Sequence, residues 1–165
     1  MNTPFEATPP RTAAGSKPLQ AGEAQIRLLA GTHTGSKFGA IDYHIPPGFA
    51  PPPVLHRHTL EDAGWLVLEG EIRFTYEDGF EFLAGPGASA EHPKGCWFRW
   101  ANAHADRPAR AICWYQPAGF EQFFVDAEAG IEQVLADGGD MTAIGAALSE
   151  IRAKYGDEEQ PTVEK

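Results

Sequence analysis

The chain has 165 residues and a formal charge of −10, set by 13 basic against 23 acidic side chains. That length suits one domain with a core of its own, and the acidic balance repels phosphate backbones and anionic lipid surfaces, so neither nucleic acid nor a membrane is an expected partner. Hydrophobic residues make up 42% of the chain, with 18 Gly and 14 Pro between short apolar runs, which suits an all-β protein rich in tight turns better than a helical bundle.

Residues 1–22 are rich in Pro, Ala and Thr and poor in large apolar side chains. Such a stretch cannot offset its own ordering entropy, and it is expected to be a flexible arm or to lie against a partner subunit. It lacks the charged and apolar regions of a secretory signal, and no run in the chain approaches the roughly 18 apolar residues of a membrane span. Cys96 and Cys113 stand far apart without a CxxC pair, so the chain is expected in the cytoplasm with unpaired thiols.

Residues 23–125 alternate short apolar runs with turn signals: Gln25 to Ala30, Phe38 to Ile45, Trp65 to Glu69, Glu71 to Tyr76, Phe80 to Leu83, Cys96 to Ala101 and Ala109 to Tyr115. Strands at that spacing predict a sandwich or barrel. Glu69-Gly70 and Glu77-Asp78-Gly79 place glycine where a hairpin needs positive φ, so the flanking strands should be antiparallel. In the run from Glu71, Ile72, Phe74 and Tyr76 share one face and Glu71, Arg73 and Thr75 the other, the alternation of a strand with one wall buried.

After Pro117-Ala118-Gly119 the period changes. Phe120, Phe123 and Phe124 fit one helical face, and Asp140 is placed to cap a helix whose apolar positions are Ile144, Leu148, Ile151 and Tyr155. Residues 126–156 are therefore read as a C-terminal segment of one or two helices, docked on the barrel or on a second subunit. Gly156 ends it, and residues 157–165 read as an acidic, solvated tail.

Between these runs lie two motifs. Pro46-Pro47-Gly48, Pro51-Pro52-Pro53, His56-Arg57-His58, Glu61-Asp62 and Trp65-Leu66-Val67-Leu68-Glu69-Gly70-Glu71 resemble the first motif of the cupin superfamily. Gly85-Pro86-Gly87, Pro93, Gly95 and Asn102 resemble the second, and Pro117 to Glu121 looks like the exit segment of quercetin-dioxygenase-like cupins. The resemblance covers about Gly31 to Phe124. It implies a small single-domain cupin: a double-stranded β-helix, or jelly-roll barrel, commonly assembled as a homodimer.

The resemblance also implies a metal site, in which two imidazoles of an HxH strand, a Glu and a third His converge on a divalent ion (Fe, Mn, Ni or Zn). Here His56 and His58 match the first pair, but the family's spacing puts Ala63 where the Glu belongs and Phe98 where the third His belongs. Neither can donate a lone pair, so the site is expected to be degenerate, and supplying both groups by Ala63→Glu and Phe98→His is expected to rebuild it. Glu61 or Asp62 could serve as a third ligand if the loop shifts by one residue, a shift expected to turn Trp65 to the wrong wall. His56 and His58 are thus read either as metal ligands or as polar inner-wall residues. His92 falls at a rim or wall position; it, His33, His44 and His104 are expected in surface or half-buried roles. Cys96, beside the implied site, is a conceivable thiol ligand.

Alternation sets Trp65 with Ala63, and Phe98 with Trp100 and Asn102, on the wall where the family builds its site. Several inward rings with a few polar groups describe an apolar ligand pocket as well as a packed core. Two functions follow. One is a small-molecule-binding barrel in which Trp65, Phe74, Phe98 and Trp100 hold an aromatic or hydrophobic compound anchored by His56, His58 and Asn102. The other is an enzyme, either a metal-dependent oxidoreductase of the dioxygenase kind or an isomerase that uses His56 or His58 as a base. No serine elbow, phosphate loop or dinucleotide-binding glycine pattern competes with these.

Overall fold

The computed structural model describes residues 18–51 and 54–160. In chain order the elements are β1 (Leu19–Ala21), β2 (Ala24–Ala30), a single 3-10 turn, β3 (Gly39–Ile45), β4 (His56–His58), β5 (Asp62–Glu69), β6 (Ile72–Tyr76), β7 (Glu81–Ala84), β8 (Ser89–His92), β9 (Phe98–Asn102), β10 (Ala109–Gln116), α1 (Glu121–Ala136), α2 (Met141–Lys154) and β11 (Asp157–Glu159). Two antiparallel sheets face one another, one in the order β1-β2-β3-β10-β5-β8 and the other β11-β4-β9-β6-β7. This is the jelly-roll architecture with two C-terminal helices that the turn spacing and motifs predict.

The alternation read from the sequence sets the inner faces. Ile41, Tyr43, Ala63, Trp65, Val67, Ala111, Cys113 and Tyr115 are buried from the first sheet, and Ile72, Phe74, Phe98 and Trp100 from the second. Outward side chains press close in one place: a Cβ on Gly64 would lie 2.2 Å from the Trp114 ring, so that ring needs a glycine beneath it.

Four strands fall outside the apolar runs read from the sequence. β4 (His-Arg-His) and β8 (Ser-Ala-Glu-His) are short and polar, and their pairing with longer neighbours replaces the hydrophobic pattern as the organising signal. The expected arm lies mostly outside the described residues, but its end, Leu19–Ala21, pairs with β2. The solvated tail is corrected at its start: Asp157–Glu159 forms β11 along β4, with Asp157 facing His58 and buried, while residues 161–165 lie outside the described residues. Gly156 makes this return at φ 65, where a Cβ would sit 2.5 Å from Thr59 Oγ1.

α1 begins on a buried anchor. The Glu121 carboxylate accepts hydrogen bonds from the Thr32 N–H (2.7 Å), the Thr32 hydroxyl (3.1 Å) and the Gly119 N–H (2.8 Å). Three donors make burial of that charge tolerable and tie the β2–β3 connection to the helix start. Asp140 caps α2 as expected, accepting from the Thr142 and Ala143 N–H groups at 3.0 Å. The helices lie across one end of the sandwich, where Phe120, Phe124 and Leu148 close over its interior.

Candidate functional site

β4 is held between β9 and β11, so its two inward imidazoles take their neighbours from both. His56 pairs with Phe98 on one side and Glu159 on the other, and His58 lies opposite Asp157. Arg57 turns outward, ion-paired with Glu158 at 2.6 Å and lying 4.5 Å over the Trp97 ring. Inward of β4 is a cavity of about 350 Å3. Its walls include Tyr43, Trp65, Phe98, Trp100 and Tyr115 from the sheets, Phe120, Phe123, Phe124 and Leu148 from the helical segment, and Phe49 and Val54 from the loop before β4.

His56, His58, Trp65, Phe98 and Trp100 therefore meet at one cavity, as the motif reading requires. Phe74 and Asn102 do not reach it. Phe74 is fully buried behind Trp65 and beside His92, with ring centroids at 5.6 and 5.2 Å. The Asn102 amide donates to the Pro46 and Arg107 carbonyls at 3.0 and 2.9 Å, and its oxygen accepts from the His104 N–H at 3.0 Å. Both amide hydrogens and one acceptor site are spent on pinning loops, so in this structure it serves the scaffold rather than the cavity.

The two carboxylates weighed as replacement ligands part company. Asp62 points outward and accepts from the Lys94 N–H at 2.8 Å. Glu61 is 4% exposed, with Oε1 2.7 Å from Nδ1 of His58. No shift of register is needed, since residues 61, 63 and 65 share a parity and hence a face. The expectation that an inward Glu61 turns Trp65 away fails for that reason.

His92 is the larger surprise. Far from a rim or surface role, it is 1% exposed and stacks on Phe98 with centroids 3.7 Å apart. Its Nε2 lies 3.3 Å from the Tyr76 hydroxyl, and its Nδ1 has no hydrogen-bond partner among the described residues. Burial, with His58 nearby, holds its pKa down at about 3. The alternation of β8 could have exposed this, since Ala90 and His92 share the inward face. The other histidines keep peripheral places: His33 is exposed, His44 lies 3.3 Å from Asp42, and His104 meets Glu71. Cys96 sits away from the cavity, its thiol pushed up by burial and by Asp78 and Glu77.

Phe98 thus stands among three imidazoles, with His92 at 3.7 Å, His56 at 4.4 Å and His58 at 6.1 Å between ring centroids. Among the described residues no group of three or more His, Cys, Asp or Glu side chains is arranged to hold a metal ion. A divalent metal does not fit this donor set.

Helical residues supply what the sequence reading missed. Arg152 of α2 pairs with Glu159 and lies 3.6 Å from Asp157 at the cavity edge. Half-buried His56 is held at about pKa 3 by burial, with His58, Arg152 and His92 adding to the effect. Burial raises the Asp157 carboxyl, opposed by Arg152 and His58. The aromatics of α1, expected only to dock the helix, also wall the cavity. No sequence signal announced this, because a helix face that packs and a helix face that lines a pocket have the same periodicity.

Residues 42–115 match the family model described as a cupin domain. Among solved structures it is similar to KdgF from Halomonas sp. (17% identity, 65% of this chain and 93% of that one, TM-score 0.55). It is also similar to ectoine synthase from P. lautus (14% identity, 93% and 88%, TM-score 0.55) and to the polyketide cyclase RemF from Streptomyces resistomycificus (19% identity, 64% and 77%, TM-score 0.55). At these identities the likeness is one of fold. No curated protein matches the chain. Among the described residues no helix is long and apolar enough to cross a membrane.

Proposed function

We propose that this protein binds a small aromatic or otherwise hydrophobic compound inside its barrel and does so without a metal ion. One observation carries the reading: Phe98 stands among His56, His58 and His92 as part of an aromatic wall, at the position where the resemblance expects a third metal-binding imidazole. The cavity of about 350 Å3 falls in the range of small-ligand sites, which are mostly apolar with a few convergent polar groups. Fold gives no guide to the reaction, since one barrel hosts many chemistries.

The test pairs two measurements on the purified protein. Elemental analysis should find metal well below stoichiometric, and a thermal-shift series should show fused-ring aromatic compounds raising Tm in a dose-dependent way. Trp100→Ala should remove that rise. A full equivalent of bound metal, or no shift with any aromatic compound, would overturn the proposal and favour the metal-dependent enzyme.

A further inference from the structure

His58 and Glu61 form a buried pair whose only side-chain hydrogen bond, among the described residues, is the one they share. An ionised carboxylate can only accept, so Nδ1 of His58 carries the proton and, in the neutral ring, Nε2 keeps its lone pair. His58 lines the cavity, with Phe120 edge-on at 4.3 Å and Tyr115 at 5.8 Å. An acceptor set in aromatic surroundings gains most from a donor brought by the occupant, because leaving it unpaired in a desolvated complex is costly.

The remaining polar groups argue against an anion. Nη1 of Arg152 is ion-paired with Glu159 and lies 3.6 Å from Asp157, so its charge is balanced by two carboxylates, and Asp157 keeps one buried oxygen, Oδ1, without a partner among the described residues. His56 is neutral at physiological pH, its charged form disfavoured by burial. A carboxylate or phosphate entering here would meet two acidic side chains, and among the described residues the one cation lining the cavity, Arg152, already stands beside both of them.

Resting on the cavity-binding reading, we infer that the occupant is an uncharged aromatic compound bearing a hydroxyl group, which donates its hydrogen to Nε2 of His58. Glu61 is a positioning residue: it fixes the tautomer and the ring plane of His58 without touching the occupant.

The test uses three compounds with one ring system: β-naphthol, its methyl ether and β-naphthoate, titrated by calorimetry into the full-length protein at neutral pH. β-Naphthol should bind about tenfold more tightly than the ether, the effect of one satisfied acceptor, and the naphthoate should bind weakest. In His58→Phe the preference for the hydroxyl should vanish while the ether still binds. Glu61→Gln should shrink the preference, because an amide can also donate to Nδ1 and release the opposite tautomer. It keeps the side chain's shape and serves if His58→Phe does not fold. Equal binding of naphthol and ether, tightest binding of the naphthoate, or a preference that survives His58→Phe would each overturn the inference while leaving the cavity reading intact. Failure of all three compounds to bind would overturn both.

Discussion

Two buried histidines flank Phe98, and their surroundings differ. On the cavity side, His58 has a carboxylate on Nδ1 and is part of the cavity wall. On the far side, His92 has one long contact to Tyr76 and a bare Nδ1. The same side chain, comparably buried, is oriented in one case and merely enclosed in the other. Burial alone therefore does not mark a functional histidine; a second group that fixes its tautomer, and space for a partner, do.

The wall between them is the strongest place to break this comparison. Phe98 is 1% exposed, and Phe98→Ala should lower unfolding stability by about 3–5 kcal/mol in urea titrations, as expected for loss of a buried aromatic ring. If Ala63 and Phe98 leave the metal position short of donors, as proposed, Phe98→His combined with Ala63→Glu should raise affinity for a divalent metal by orders of magnitude, measured by calorimetry. Equal and tight binding by the unchanged chain would show that its site is already complete.

Acid should expose the cost of the enclosed ring. His56 and His92 have folded-state pKa values near 3, below the unfolded value of about 6.5, so the unfolded chain binds protons that the folded one refuses. Their contribution is fully present above about pH 6.5 and is lost as pH falls from there toward the folded pKa, at about 1.4 kcal/mol per pH unit for each histidine. His92→Phe should flatten that slope by one histidine's share in denaturation curves taken at successive pH values. A slope unchanged by this substitution would mean that His92 titrates freely in the folded protein.

The smallest effect separates the cavity from its scaffold. Asn102→Ala breaks three hydrogen bonds to loops and should cost about 1–3 kcal/mol of stability. It should leave the preference for a hydroxyl over a methyl ether unchanged, as read in the same titrations. A changed preference would return Asn102 to the ligand site.

What could be read from residues alone was whatever depends on local pattern. Period-two alternation put Ala63, Trp65, Phe98 and Trp100 on the inner wall, glycine turns set the hairpins, and Asp140 announced a helix start. The HxH strand and its lost partners at Ala63 and Phe98 were visible because motif spacing survives along the chain. The tertiary structure decided everything that depends on elements far apart in sequence. It brought Asp157 and Glu159 beside His58 and His56, set Arg152 at the cavity edge, turned the rings of α1 into a wall and sealed His92 behind Phe98. The physical reason is that alternation and helical period say which side of an element is apolar, but not what covers it. A strand of three residues such as Asp157–Glu159 carries no periodic signal of its own and exists only because β4 offers an edge to pair with.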